Sequence, residues 1–231
     1  MKAISFHEFG EVDVLKYEDV PDPVIGDDEV LVHVKSAALN HLDLRLRSGK
    51  SPRPVDLPHI GGVDIAGDVE AVGKNVSDIK PGTRVVIDPT VKTPKGPMVI
   101  GVNFYGGFAE YVKVPAVNAV PIPAEVSYDD AATLPICYVT AWYGLFDRGN
   151  MQKNETVLIH AAGSGTGSAA VQIAKEGGAF VIATAGSDEK LEKVKKLGAD
   201  APITVQTRTN PPTEDAKSTF EQIRRCEVAG V

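Results

Sequence analysis

Residues 156–167 read TVLIHAAGSGTG, and the fold follows from what that run requires of its surroundings. Thr156 to His160 is an apolar, β-branched stretch suited to a buried strand. Gly163, Ser164, Gly165, Thr166 and Gly167 follow at once. Thr166 to Lys175, with Ala169, Ala170, Val171 and Ile173, then has the spacing of a helix ended by Gly177 and Gly178. Missing side chains at such a turn let a ligand reach the backbone, while free N–H groups and the dipole of the helix start favour negative charge. An ordinary glycine-rich loop satisfies the same pattern, so the neighbouring elements decide. Ala179 to Ala185 reads as a second buried strand, and Ser187 as the cap of a helix running to Leu197 and stopped by Gly198. Strand, turn, helix and strand in that order give parallel strands joined by right-handed crossovers, and a turn that cradles the two linked phosphates of a dinucleotide.

The end of the second strand bears on which dinucleotide. A reader of NAD places an acid there for the ribose 2′-hydroxyl, and a reader of NADP needs a neutral or basic site. Here the strand ends Ala185-Gly186-Ser187, so Ser187 can donate to a 2′-phosphate and Lys190 can pair with its charge. Asp188 and Glu189 oppose that phosphate, and Ser187 and Lys190 can equally be a cap and a solvated surface residue. The residues favour NADPH and leave NADH open.

Upstream, from Met1 to Ile122, short β-rich runs alternate with turn chemistry: Ala3 to Phe6, Val30 to Val34, Ile65 to Val72, Arg84 to Ile87 and Ala109 to Val114. This predicts a small all-β barrel or sandwich, interrupted by one short helix at His41 to Arg47. The stretch from Pro89 to Gly107 carries too many Pro and Gly residues to be expected regular. At Pro121-Ile122-Pro123 the period changes from two to helical, with Ser127 a cap ahead of Tyr128 to Ala132 and further helix through Trp142 to Phe146. A domain boundary is expected there, giving a first domain 1–122, a partial dinucleotide-binding domain 123–205 and a polar tail 206–231. Ala201 to Val205 is a third strand candidate that Pro202 weakens. The tail offers one weak helix through Phe220 and Ile223.

The chain has 231 residues, a net charge of -7 and two cysteines, Cys137 and Cys226. The acidic balance disfavours nucleic acid and anionic lipid as partners. Met1 to Val14 has neither a signal-peptide nor a transit-peptide layout, no run approaches a membrane span, and two distant cysteines make neither a disulfide framework nor a metal knuckle. A cytoplasmic location is expected.

The stretches Ala37-Ala38-Leu39-Asn40-His41-Leu42-Asp43, GGVDIAGDVEAVG at 61–73, Pro81-Gly82-Thr83-Arg84-Val85 and the run from Pro121 through Asp200 resemble the medium-chain dehydrogenase/reductase superfamily, and within it the zinc-independent, NADPH:quinone reductase-like members. The resemblance covers roughly residues 1 to 200. It implies an α/β plus β chain, in which an N-terminal GroES-like barrel precedes a Rossmann domain, with the active site in the cleft between them. It also implies that Asn40 and Thr140 lie beside the nicotinamide, Asn40 orienting substrate or carboxamide, with His41 the nearest candidate proton donor.

Zinc-dependent relatives hold a catalytic metal with a cysteine and a His-Glu pair. Here those positions are Asn40 and Val63-Asp64, and Ile136 stands where a third ligand falls, with Cys137 one place off. His41 and His59 without thiolates make a poor zinc site, so no metal is expected. Without that Lewis acid, hydride delivery to an electron-poor quinone or α,β-unsaturated carbonyl is the expected chemistry. Enoyl-thioester reductase relatives carry a tyrosine that Gly49-Lys50-Ser51 lacks. Relatives are longer, so the sequence reads as C-terminally truncated, and a homodimer is expected only of a longer form. Two alternatives stand beside the reductase: a non-catalytic dinucleotide-binding or interaction protein of the same fold, and a zinc-type alcohol dehydrogenase-like enzyme.

Overall fold

The computed structural model describes residues 1–51 and 54–205. The chain divides into two compact units, the first Met1–Pro135 and the second beginning at Ile136.

In the first unit a three-stranded antiparallel sheet has the order β2-β1-β4, from β1 (Lys2–Phe6), β2 (Leu15–Asp19) and β4 (His59–Ile60). A five-stranded sheet has the order β10-β6-β5-β3-β9, from β3 (Glu29–Ala38), β5 (Asp64–Val72), β6 (Arg84–Ile87), β9 (Tyr111–Pro115) and β10 (Ala119–Pro121). Alternation of β-branched residues drives the second sheet: Val30, Val32, Ile65, Val69, Val85, Ile87, Val112 and Val114 turn to one side and form its core. The short helix α1 (His41–Arg47) follows β3 directly and spans the residues its spacing predicts.

Two features depart from the sequence expectation here. The segment after Pro89 is regular in part, since β7 (Thr90–Thr93) and β8 (Gly96–Val99) form a hairpin. Its turn works because Gly96 adopts φ 107° and the Thr93 hydroxyl donates to the Gly96 carbonyl at 2.7 Å. The compact first unit also runs on past 122, to Pro135. Helix α2 (Tyr128–Ala132) packs with the first unit, where Ala131 and Ala132 are buried with Ala66. Arg84 fastens the approach to α2 by donating to the carbonyls of Pro123, Ala124 and Val126.

The second unit opens in α3 (Leu134–Trp142), which passes into a π-helical stretch at Tyr143–Arg148. A parallel sheet then has the order β11-β12-β13, from β11 (Thr156–Ile159), β12 (Phe180–Ala185) and β13 (Ala201–Thr204). Helix α4 (Gly165–Glu176) joins β11 to β12, and α5 (Asp188–Lys196) joins β12 to β13. Ile159, Val171, Ala174, Val181, Ala183 and Val194 form its core. Pro202 is accommodated because β13 pairs on one side only, with β12, among the described residues. The weak helix expected through Phe220 and Ile223 lies outside the described residues.

Candidate functional site

The turn after β11 is held from three sides. Ala162 donates its N–H to the Thr184 carbonyl on β12 at 2.8 Å, and Ser164 donates to the Ala161 carbonyl at 2.8 Å. The Ser164 hydroxyl, as N-cap of α4, accepts from Gly167 N at 3.1 Å. Ser168 N bonds back to the Ser164 carbonyl at 2.8 Å. This leaves the N–H groups of Gly165 and Thr166, in the first turn of the helix, for an incoming acceptor.

Close approach explains the glycines. A Cβ at Gly167 would lie 2.4 Å from the Ala161 carbonyl oxygen, one at Gly165 would lie 2.8 Å from Cys137 Sγ, and one at Gly163 would lie 3.1 Å from Lys190 Cδ. Such a bare, donor-rich cradle at a helix mouth suits an anion of pyrophosphate type. Cys137 brings α3 to the edge of the turn, and Thr140, exposed and three residues on, shares its helix face.

Beyond β12, the Ser187 hydroxyl caps α5 by accepting from Lys190 N at 3.4 Å, which leaves its own O–H free to donate elsewhere. The two acids that weighed against a 2′-phosphate are both engaged. Asp188 Oδ1 accepts from Thr204 Oγ1 at 2.8 Å, and Glu189 pairs with Lys193 at 2.8 Å, an interaction that holds the Glu189 carboxyl below its ordinary range. Lys190 is exposed, with its stem against Gly163.

In the first unit, Asn40 is the N-cap residue of α1 and His41 its first helical residue, exposed to solvent. Asn40 N donates to Asp43 Oδ2 at 2.7 Å, and Asn40 Nδ2 donates to Asp64 Oδ2 at 2.8 Å. Asp43 Oδ1 accepts from Gly62 N at 3.1 Å. Burial pushes the Asp43 carboxyl above its ordinary value, while the bonds from Asn40 and Gly62 pull it back. Burial pushes His59 below the usual imidazole value, against the bond to the Gly101 carbonyl at 3.1 Å. A cavity of about 770 Å³ opens in this unit beside His59, Tyr105 and Tyr111, and neither Asn40 nor His41 lines it.

The sequence reading names Asp43, Asp64 and Cys137 but assigns none of them a role in the site. An Asn-x-x-Asp spacing at a helix start was the one available signal for Asp43. Among the described residues, no group of three or more His, Cys, Asp or Glu side chains is arranged to hold a metal ion. No helix among the described residues is long and apolar enough to cross a membrane.

Residues 26–124 match the family model of the alcohol dehydrogenase GroES-like domain, and residues 165–223 that of the zinc-binding dehydrogenase. The quinone oxidoreductase of Lama guanicoe is 36% identical over 200 residues, covering 86% of this chain and 57% of that protein. The chloroplastic NADPH-dependent alkenal/one oxidoreductase of Arabidopsis thaliana is 35% identical over 233 residues, covering 99% of this chain and 59% of that protein. The chain thus spans less than two-thirds of these curated relatives. A solved NAD-dependent alcohol dehydrogenase superimposes with a TM-score of 0.87 at 37% identity, covering 96% of this chain and 67% of that one. The chain therefore belongs to the medium-chain dehydrogenase/reductase superfamily, with a GroES-like domain followed by a dinucleotide-binding domain.

Proposed function

We propose that the chain serves an NADPH-dependent oxidoreductase that delivers a hydride to a quinone or an α,β-unsaturated carbonyl without a metal. The observation that carries this reading is the turn at 163–167, where Gly165 and Thr166 present N–H groups in the first turn of α4 and Gly163, Gly165 and Gly167 carry no side chain. Bound NADPH supplies the hydride. The second unit contributes Gly163, Ser164, Gly165, Thr166 and Gly167 to the pyrophosphate, with Thr140 on the neighbouring helix. Ser187 and Lys190 would read the 2′-phosphate, a role supported by the engagement of Asp188 and Glu189 elsewhere.

The first unit contributes Asn40 to orient the acceptor or the coenzyme, and His41 to hand over the proton that accompanies each hydride. A positioned donor of that kind is worth roughly a hundredfold or more in rate. Asn40 and Val63 at the positions of metal ligands in zinc-dependent relatives support a metal-free reaction, in which the acceptor's own electron deficiency replaces a Lewis acid. The llama and Arabidopsis relatives, a quinone oxidoreductase and an alkenal/one oxidoreductase, favour quinones and alkenals as acceptors. A second reading is a dinucleotide-binding protein without turnover. It rests on the same turn, which can hold a dinucleotide whether or not an acceptor is reduced.

NADPH absorbance followed with a simple quinone, with and without a metal chelator, tests the proposal. Quinone-dependent oxidation indifferent to the chelator is expected. Saturable NADPH binding without turnover selects the second reading, and no saturable binding overturns both.

A further inference from the structure

The cavity of about 770 Å³ in the first unit has the size of a small-molecule site, and neither Asn40, His41 nor any residue of the turn at 163–167 lines it. His59 does line it. This residue opens β4, whose pairing with β1 sets the imidazole between Phe6 and Tyr105, with ring centres at 5.5 and 6.1 Å and both contacts edge-on. His59 is only 2% exposed. Its Nε2 lies 3.1 Å from the Gly101 carbonyl oxygen, which can only accept, so Nε2 carries the proton. Burial favours the neutral ring, which leaves Nδ1 a bare acceptor. Among the described residues, none hydrogen-bonds Nδ1, although every fully enclosed side-chain nitrogen and oxygen has a partner. Nδ1 is therefore the part of His59 that reaches the open space of the cavity.

The charges around that space set the sign of what can pair with it. Five carboxylates line it, those of Glu18, Asp19, Asp22, Glu29 and Asp56, against the ammonium groups of Lys113 and Met1. Four of the five are engaged: Glu18 with Ser5 and His7, Asp19 with Lys2, Asp22 with the Met1 ammonium, and Glu29 with Lys113. Asp56, exposed and three residues before His59, has no ion pair among the described residues. His59 and Asp56 thus present acceptors in want of donors. Phe104 and Tyr105, 40% and 51% exposed, present aromatic surface to the same space.

We propose that this cavity is a binding site for an aromatic ligand carrying a cationic amine, with His59 Nδ1 accepting a hydrogen bond from the ligand, Asp56 balancing its charge, and Phe104 and Tyr105 covering its ring. The site depends on neither the coenzyme nor the acceptor of the preceding proposal. A ligand without a donor leaves Nδ1 unpaired, and an anion meets an excess of negative charge. An aromatic cation satisfies both, and gains from the rings through edge contacts and the attraction of a cation to a ring face.

The test uses the full chain, labelled with ¹⁵N at histidine, and reads the His59 ring by NMR. The wild type should show a protonated Nε2 and a bare Nδ1, an observation that requires no variant to fold. Tyramine joins an ammonium, an aromatic ring and a hydroxyl, and 4-hydroxyphenylacetate has the same ring and hydroxyl with the opposite charge. Tyramine should shift the Nδ1 signal saturably, and at about tenfold lower concentration than 4-hydroxyphenylacetate. Asp56→Asn changes an exposed side chain and should bring the two probes within about threefold of one another. A proton on Nδ1 in the free wild type, no saturable response to tyramine, or equal response to the two probes overturns the site. An undiminished preference for tyramine in Asp56→Asn removes Asp56 from it and overturns the proposal as stated.

Discussion

The stem of Lys190 lies across Gly163, with Cδ, Cβ and Cγ at 3.1, 3.2 and 3.3 Å from where a Gly163 Cβ would stand. A cation three residues into α5 is thereby laid beside the dinucleotide turn, while Glu189, its neighbour in sequence, is drawn off by Lys193. Lys190→Ala should weaken NADPH binding by about tenfold and leave NADH within about twofold, because only the former carries the extra phosphate. Titration of both coenzymes at low and high salt checks this. The preference should shrink as salt rises, since Lys190 is exposed and screened. A variant whose NADPH:NADH ratio stays that of the wild type removes Lys190 from the site.

Gly163 and Gly167 should respond differently to the same methyl group. At Gly163 the clash is with a flexible side chain, and at Gly167 it is with the Ala161 backbone oxygen at 2.4 Å. Gly167→Ala should cost about 1–3 kcal/mol of unfolding free energy by overpacking, and Gly163→Ala less than about 1 kcal/mol. Denaturant melts of the two variants decide it. The double variant Gly165→Asp, Gly167→Asp adds negative charge to the cradle and should abolish NADPH binding; unweakened affinity there refutes the phosphate assignment.

What could be read in advance followed local chemistry. Ser127, Ser164 and Ser187 each declare a helix start, and each side chain accepts from the backbone N–H three residues on. The limits of α1 were legible because Asn40 and Asp43 are polar residues at the head of an otherwise amphipathic run. β2 was not, since Leu15 and Tyr17, the apolar residues of its alternation, stay exposed and the strand forms by pairing with β1. The extension of the first unit to Pro135 depends on Arg84 reaching carbonyls some 40 residues away, and the seat of Asn40 depends on Asp64, 24 residues away. Such pairings belong to the tertiary fold and leave no trace in periodicity.

His59 makes stability sensitive to acid. Its folded-state value lies below 6.5 because burial disfavours the imidazolium, so the unfolded chain takes up the proton first. Stability should fall as pH drops below about 6.5 toward the lowered folded value. Asp43 acts in the opposite sense, its raised folded value making stability fall as pH rises above 3.8. His59→Gln, which retains a donor for the Gly101 carbonyl, should remove the histidine component alone. Unfolding curves from pH 7 to 5 should then run flatter for the variant than for the wild type, and parallel curves refute the assignment.

Arg84 provides a final test of how the first unit is closed. Its guanidinium donates at 3.0, 2.9 and 2.7 Å to the carbonyls of Pro123, Ala124 and Val126, and sits 4.4 Å from the centre of the Tyr128 ring. Tyr128 in turn donates its hydroxyl to Asp68 on β5. A planar fork can satisfy three carbonyls where an ammonium cannot match the spacing, so lysine is no substitute here. Arg84→Ala should lower unfolding stability by about 2–3 kcal/mol, and Arg84→Lys by an intermediate amount, with the denaturant slope unchanged. Limited proteolysis should show the 122–127 segment cut faster in Arg84→Ala. If both variants melt with the wild type, α2 is held by the packing of Ala131 and Ala132 on Ala66, and the Arg84 clamp contributes nothing of its own.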